Sequence, residues 1–422
     1  MIQNYHILYG ILGTMQKRTL YIVGLIILIG IICYFTLYQK EINDTSEYLA
    51  ITPVAVHTNG MDFIDSSTCI ECHPRIVEDH YKTAHFNSLQ LANKKTIKGS
   101  FEKSKNTLKL NNKVTFNFIE KDSGFYQEPT FNNQKTPFYS AKMDIVVGSG
   151  TKGQSYLMWN NNDLFQLQAS YFTPTDSWIN SPGAPDELAP ARPVLERCLE
   201  CHTTYAQNIS GNKNKNQFHR ENLVYGIDCQ RCHGPVKKHL VYHKQNPKDT
   251  IAKYILKYNS LSRQQRLDAC ALCHSGLRTE TTERAFSFTV GDTLKKFSFP
   301  DYNESSLKDL DVHGNQYGLL KASKCFTSSN SLNCTTCHNP HKKERGNISS
   351  FNQKCMDCHT TMSKPINCSG DKDKIKEMDN NCIQCHMPLV KSKTMKIHLL
   401  ESEEISVDVR THLIGIYNLK NN

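Results

Sequence analysis

Cysteine and histidine recur in one fixed spacing along this chain of 422 residues. Two cysteines stand three positions apart, and a histidine directly follows the second. This spacing is that of a c-type haem attachment site, in which two thioether bonds hold the porphyrin and the histidine ligates the iron. The pattern occurs seven times, at 69–73, 198–202, 229–233, 270–274, 334–338, 355–359 and 382–386. The sequence therefore predicts seven haem c groups.

The motifs use fourteen of the seventeen cysteines and seven of the eighteen histidines. The thioether cysteines are predicted to be Cys69, Cys72, Cys198, Cys201, Cys229, Cys232, Cys270, Cys273, Cys334, Cys337, Cys355, Cys358, Cys382 and Cys385. The first ligands of the irons are predicted to be His73, His202, His233, His274, His338, His359 and His386.

Zinc binding and disulfide formation account for the paired cysteines less well. Two Cys-X-X-Cys pairs can form a tetrahedral zinc site, but the adjacent histidine would then be superfluous every time. Exported cysteines often form disulfides, yet seven identical motifs do not resemble a disulfide framework. Outside the motifs, a Cys325–Cys368 disulfide competes with two separate thiols.

The sixth iron position decides what such a haem can do, because a filled position suits electron transfer and an open one can bind substrate. Ten histidines remain after residue 38 as candidates for that position: His57, His80, His85, His219, His239, His243, His313, His341, His398 and His412. His341 follows His338 by three residues and would lie on the same side of that ring. We therefore expect His341 to bind the iron of a neighbouring haem, and the same reasoning applies to His239 after His233.

The composition agrees with buried cofactors. Hydrophobic residues make up 38% of the chain, below the usual share of about 45–50%, so porphyrins would supply apolar core. The formal charge is +10, but the lysines are scattered and the haem propionates would offset this charge. We therefore expect no nucleic-acid partner.

An uncharged run at 20–38 follows Lys17 and Arg18. Its nineteen residues are long enough for a membrane-spanning helix, and the preceding positive charges favour a cytoplasmic N-terminus. A cleaved signal peptide is the alternative, but no small-X-small cleavage site follows. The sequence thus predicts a single-pass protein of the inner membrane, with its soluble part in the periplasm.

The predicted organisation has six parts. Residues 1–19 would be a cytoplasmic N-terminus, of which 1–14 could precede the true start, and 20–38 an anchor. A linker at 39–60 and a first haem segment at 61–92 follow. Apolar and polar residues alternate in parts of 93–185, which predicts a β-rich insertion, and 186–422 would hold the other six haems. The expected fold is mainly α, with extensive loops around a stacked haem array, a small β-rich insertion and an N-terminal transmembrane helix.

Several stretches resemble the multihaem c-type cytochromes related to the tetrahaem electron carrier of nitrifying bacteria, octahaem hydroxylamine oxidoreductase and tetrathionate reductase. The resemblance extends over about 62–415 and rests on CIECHPRIVEDHYKTAHFNSL, IVVGSGTKGQSYL, FQLQASYF, DCQRCHGPVKKH, VHGNQYGLLKASKCF, CTTCHNPH and CIQCHMP. It implies haems stacked in close pairs with two histidines on most irons. The sixth ligands it implies are His85, His239, His313, His341 and one of His398 or His412, with His80 and His219 as weaker candidates.

The resemblance implies two alternative functions. The first is an electron carrier that connects a quinol-linked membrane donor to a periplasmic or outer acceptor. The second is a reductase or oxidase of nitrite, hydroxylamine or tetrathionate at one five-coordinate haem. No motif ends in lysine, as the catalytic motif of pentahaem nitrite reductases does, and this favours the carrier. For the enzyme, His202 or His274 is the predicted ligand of the open haem, because neither motif has an obvious sixth ligand nearby.

Overall fold

The computed structural model describes residues 21, 23–36, 51–132, 134–276, 278–300, 310–360, 381–398 and 404–417. The chain divides into two compact units. One comprises Met1–Thr52 and Lys238–Lys253, and the other comprises Pro53–Lys237 and Tyr254–Asn422.

The predicted membrane anchor is not supported. Residues 23–36 are helical and exposed. In the part of the chain that the structure describes, no helix is long and apolar enough to cross a bilayer. The predictions of a transmembrane helix and of a single-pass inner-membrane location are therefore wrong.

A four-stranded antiparallel meander forms the first large sheet. Its strands are β4 (Thr107–Lys109), β5 (Val114–Lys121), β6 (Gly124–Phe131) and β7 (Ala141–Met143), and they are ordered β4-β5-β6-β7. The apolar residues of β5 recur at every second position, and Val114, Phe116 and Phe118 are all buried. The period of two places these side chains on one face.

The second large sheet has seven strands, and β9 lies at its centre. Its members are β3 (Leu89–Leu91), β8 (Ile145–Val147), β9 (Gly153–Asn160), β10 (Asp163–Gln166), β11 (Ala169–Phe172), β12 (Ser177–Asn180) and β13 (Arg192–Pro193). Strands β12, β11, β9, β10 and β13 follow one another in hydrogen-bonded order, and β8 joins β3 to β9. All the pairings are antiparallel.

An aromatic core joins these two sheets. Trp178 of β12 stacks on Phe118 of β5, with ring centres 3.7 Å apart and planes at 7°. Tyr156 of β9 packs against the same indole at 5.4 Å. The indole nitrogen donates a hydrogen bond to the Ser100 carbonyl at 2.9 Å, so the one polar atom of this buried side chain is paired.

The remaining strands of the described residues form three two-stranded sheets. They are β1 (Ala55–Val56) with β2 (Asp62–Phe63), β14 (Arg278–Thr281) with β15 (Ser298–Pro300), and β16 (Leu389–His398) with β17 (Glu404–Arg410).

The helices are mostly one or two turns long. Their bounds are Pro74–His80, Glu196–Glu200, Cys229–His233, Lys237–Gln245, Arg263–His274, Gln316–Lys321, Lys324–Thr327, Cys334–Cys337, Ile348–His359 and Cys382–His386. Short 3-10 turns add Ser66–Glu71, Phe86–Ser88, Thr173–Thr175, Arg220–Asn222, Tyr258–Ser260 and Leu294–Lys296. The prediction of a mainly α fold is wrong, because five antiparallel sheets stand beside these helices in the described residues. A haem motif needs only one helical turn, and a seven-fold repeat of it therefore adds little helix.

Candidate haem-binding site

Polar caps begin the turns that carry the cysteines. Asp228 precedes the helix Cys229–His233, and its carboxylate accepts a hydrogen bond from the Gln230 backbone. Asn333 forms a capping box at the start of Cys334–Cys337. Ser262 does the same at Arg263–His274, whose last turn is the fourth motif. Capping satisfies the first backbone N–H groups, so these three helices each begin at a fixed residue.

Cysteines of different motifs lie side by side. The Cys69 and Cys229 thiols lie close enough to shift each other's pKa, that of Cys69 downward and that of Cys229 upward, so the first and third motifs are neighbours. Cys201 and Cys273 influence each other in the same way, the pKa of Cys201 falling and that of Cys273 rising, so the second and fourth motifs are neighbours. Cys334 and Cys270 do so for the fifth and fourth motifs, the pKa of Cys334 falling and that of Cys270 rising. These sulfurs stand where thioethers would form, so these motif pairs would attach their porphyrin edges close together.

Three pairs of imidazoles are separated by the distance that one iron requires. The ring centres of His233 and His341 are 6.1 Å apart with planes at 3°. His85 and His274 are also 6.1 Å apart, at 74°. A metal–imidazole nitrogen bond is about 2 Å long, so two imidazoles on opposite sides of one iron place their ring centres about 6 Å apart.

The third pair consists of His338 and His412, with ring centres 6.2 Å apart and planes at 32°. Each of the three pairs joins the histidine of one motif to a histidine from a distant part of the chain. The residues present therefore fit a haem iron at the third, fourth and fifth motifs.

Hydrogen bonds orient the motif histidines. Nδ1 of His233 lies 3.2 Å from the Leu256 carbonyl oxygen, and Nδ1 of His386 lies 2.8 Å from that of Gly415. The amide oxygen of Gln316 takes the same role for His274 at 3.2 Å. When Nδ1–H donates to an oxygen, Nε2 is left to bind a metal.

Burial keeps His85 and His412 neutral. It lowers the pKa of His85 to about 4, with a further contribution from His274. It likewise lowers the pKa of His412 to about 4, helped by His338. Nδ1 of His412 is buried and has no hydrogen-bond partner among the described residues, and the same is true of Nδ1 of His202. A neutral imidazole is the form that ligates iron.

Gly226 allows the third motif to approach His85. Its φ is +63°, and a Cβ atom there would lie 2.1 Å from the Phe86 carbonyl oxygen. The next residue, Ile227, donates its N–H to the His85 carbonyl at 2.9 Å. Glycine is thus required both for this backbone conformation and for the close contact.

Burial lowers the pKa of His313, the Asp311 carboxylate opposes this shift, and His202 adds a smaller lowering. Burial likewise lowers the pKa of His202. That His313 is a sixth ligand stays a prediction.

Other predicted ligands have different surroundings. Nε2 of His80 lies 2.9 Å from the Ile227 carbonyl oxygen, although its ring centre is 6.4 Å from that of His341. His219 pairs with the exposed Glu221 carboxylate at 3.1 Å. His57, a spare histidine in the sequence, bonds to the Phe286 carbonyl at 2.8 Å.

Within its own unit, His239 contacts the Lys253 carbonyl through Nδ1 at 2.7 Å and lies 4.7 Å from the His243 ring. The side chain of His398 and the whole of Cys368 lie outside the described residues. The prediction of a disulfide between Cys325 and Cys368 consequently stays a prediction.

Sequence reasoning missed a group of buried polar residues around the third motif. Gln230 and Asp228 are 2% and 5% exposed, and both bind the segment before Cys69. Arg231 donates to the Glu200 carbonyl of the second motif at 3.0 Å. The signal available in the sequence was that two long polar side chains fill the variable positions of CQRCH.

Two comparisons with known proteins bear on this site. Residues 180–234 match the model of the family described as cytochrome c554 and c-prime. The chain also resembles the crystal structure of the outer cell wall cytochrome OcwA, with a TM-score of 0.52 and 16% sequence identity. This similarity covers 83% of this chain and 79% of that one, and it shows a shared fold. No curated protein matches the chain.

These findings and the Cys-X-X-Cys-His motifs support the same coarse conclusion. They support a multihaem c-type cytochrome that binds haem c. The matched segment includes the whole of the second and third motifs.

Proposed function

We propose that the protein is an electron carrier that passes electrons through seven covalently bound haems. The observation that carries this proposal is the set of three histidine pairs about 6 Å apart. Two histidines fill both axial positions of an iron, and such a haem exchanges electrons without binding substrate. Its partners are redox proteins that donate and accept electrons, and a quinol-linked donor stays a prediction.

The proposed ligand pairs join separate motifs. His341, three residues after His338, binds the iron held by His233. His85, from the segment after the first motif, binds the iron held by His274. His412, near the C-terminal end of the described chain, binds the iron held by His338, and His313 binds that of His202.

These pairs reduce the support for an enzyme with an open haem. The predicted open positions were those of His202 and His274. His85 now stands at the distance of a sixth ligand from His274, and we propose His313 as the ligand opposite His202. When bound, haem supplies a reversible one-electron centre, while the histidines of this chain hold its iron and exclude other ligands.

Contacts between motifs suggest a path. The thiol contacts connect the first motif to the third, the second to the fourth, and the fourth to the fifth. Lys354, directly before Cys355, donates to the Cys337 carbonyl at 2.5 Å and so links the fifth motif to the sixth. The Cys382 N–H donates to Asn352 at 3.1 Å, linking the sixth to the seventh. We infer that electrons pass between neighbours in this network.

A spectroelectrochemical titration of the haem-loaded protein tests the proposal. We expect reversible reduction of all haems, a haem-to-protein ratio of seven, and low-spin signals in electron paramagnetic resonance. A stoichiometric high-spin signal, together with turnover of nitrite, hydroxylamine or tetrathionate, would contradict the carrier and support the enzyme.

A further inference from the structure

The side chain of Gln230 binds both polar groups of one backbone position in another motif segment. Its amide nitrogen Nε2 donates to the Ile64 carbonyl at 2.7 Å, and its oxygen Oε1 accepts the Ile64 N–H at 3.0 Å. Ile64 is 1% exposed and lies five residues before Cys69. The contact therefore fixes the backbone just before the first motif.

A ring of hydrogen bonds closes around this contact. Gln230 Nε2 also donates to the Ser66 hydroxyl at 2.9 Å. That hydroxyl donates to the Asp228 carboxylate, which accepts the Gln230 backbone N–H at 2.7 Å through its other oxygen. Asp228 and Gln230 are both buried, so these bonds are shielded from water and costly to leave unmade.

The ring lies next to the point where two haems would be attached. Cys69 follows Ile64 by five residues, and Cys229 directly precedes Gln230 in the chain. An ion pair between Asp62 and Lys237, 2.7 Å long, joins the residues flanking both motifs. The segment before the first motif is consequently held against the third motif on both sides of Gln230.

The neighbouring variable residue binds a different motif. Arg231 donates to the Glu200 carbonyl of the second motif at 3.0 Å and lies over the Phe286 ring at 5.3 Å. Neither variable position forms a thioether or ligates iron. Their side chains are free to serve another purpose, and here they join the third motif to two others.

We propose that Gln230 is a positioning residue that sets the spacing between the haem attached at Cys69 and Cys72 and the haem attached at Cys229 and Cys232. The inference rests on the proposed function, because it concerns the transfer of one electron from the reduced haem to the oxidised one. No covalent bond forms or breaks in that step, and no proton moves. Transfer slows steeply as the edges of two haems separate, so a loosened segment at Ile64 lowers the rate.

Gln230→Met tests the proposal in the haem-loaded full chain. Methionine is similar in size and shape to glutamine but binds neither group of Ile64. We expect unchanged haem content, faster amide hydrogen exchange in a peptide spanning 62–72, and altered magnetic coupling between two haems. Electron transfer after rapid partial reduction with dithionite should slow several-fold.

Gln384→Met is the matched control. Gln384 occupies a variable position of the seventh motif and is exposed, and its side chain accepts one long bond of 3.5 Å from Arg410. This variant should keep hydrogen exchange at 62–72, the magnetic coupling and the transfer rate of the parent. Ser66→Ala removes the two bonds of the ring that its hydroxyl makes, with Gln230 and with Asp228, and leaves both bonds to Ile64 in place. It should change the hydrogen exchange, the magnetic coupling and the transfer rate in the direction of Gln230→Met by a smaller factor. It also serves as the test variant if Gln230→Met does not fold.

Two results separate the two proposals. If the parent transfers electrons and Gln230→Met leaves exchange, coupling and rate unchanged at full haem content, the positioning role is overturned. If the parent itself shows a high-spin haem with substrate turnover, the carrier proposal fails. Faster amide hydrogen exchange at 62–72 in Gln230→Met would still show that Gln230 holds the backbone at Ile64. Changes in all three readouts at full haem content support the positioning role.

Discussion

Two regions of the molecule are stabilised in different ways. In the sheet region, residues 107–180, aromatic side chains such as Phe118 and Trp178 are buried against one another. In the late motif region, residues 334–359 and 381–386, the motif helices contain no buried residue. The sheet region thus has its own side-chain core, while the late motif region exposes surfaces that bound porphyrins would cover.

The hydrogen bonds of the two regions also differ, in number and in kind. Backbone ladders connect the strands, as in the eight paired positions between β5 and β6. The late motifs are instead joined by single side-chain contacts, such as Lys354 to the Cys337 carbonyl. A segment with few buried apolar contacts opens easily, so the late motif region should depend on haem and the sheet region should not.

The largest effect should come from preventing haem attachment. In cells that lack haem supply, we expect protease to cleave the late motif region rapidly while 107–180 stays protected. Mass spectrometry of the fragments checks this outcome, and the haem-loaded protein is the control. Equal protection of both regions without haem would remove the distinction between them.

Trp178→Ala should break the sheet region selectively. Removing a buried tryptophan costs about 3–5 kcal/mol, and this indole packs on Phe118 and Tyr156. We expect a lower denaturant midpoint for the sheet region at unchanged haem content. Phe138→Ala, at a side chain that is 70% exposed, is the control and should change stability by less than about 0.5 kcal/mol. A large loss of haem in Trp178→Ala would show that the two regions are coupled.

His341→Ala should act on one iron only. If His341 is the sixth ligand of the iron above His233, its loss leaves one haem five-coordinate. We expect a high-spin signal equal to one iron and no loss of stability in the sheet region. His219→Ala, at a histidine whose side chain hydrogen-bonds to the exposed Glu221, should leave the spectrum unchanged. An entirely low-spin His341→Ala protein would contradict the assignment.

The smallest effect should follow from Arg410→Lys. The Arg410 guanidinium donates to the carbonyls of Ile383 and Met387 at 2.9 and 2.7 Å. Lysine keeps the positive charge but lacks the planar guanidinium group that donates to both carbonyls. A hydrogen bond from a charged group contributes about 1.5–3 kcal/mol. We expect a slightly lower denaturant midpoint for the seventh motif, followed by its haem absorbance. No change, relative to His219→Ala as the control, would show that the hairpin β16–β17 does not support this motif.

The sequence predicted the haem chemistry better than the fold around it. The Cys-X-X-Cys-His motif contains both thioether cysteines and the first iron ligand within five consecutive residues, so the sequence alone was enough to propose them. Because His341 follows His338 by only three residues in the sequence, the two cannot bind opposite sides of one iron. This separation could not indicate which other motif His341 faces. His233 lies more than a hundred residues earlier, and only the fold brings the two rings together.

The remaining errors have physical causes. Alternation predicted strands within 93–185, but it does not reveal that they form two sheets around Trp178. The apolar run at 20–38 has the hydropathy of an anchor, whereas none of the helices among the described residues is long and apolar enough to cross a bilayer. The roles of Gln230 and Asp228 depend on Ile64 and Ser66, which are far away in sequence and carry no periodic signal.

Anomalous diffraction at the iron edge, from crystals of the haem-loaded protein, tests the central claim most directly. The claim is that histidines from distant segments fill both axial positions of irons in neighbouring motifs. We expect one iron between Nε2 of His233 and the ring of His341, and others between His85 and His274 and between His338 and His412. Finding His341 bound to no iron, or on the same iron as His338, would contradict the claim.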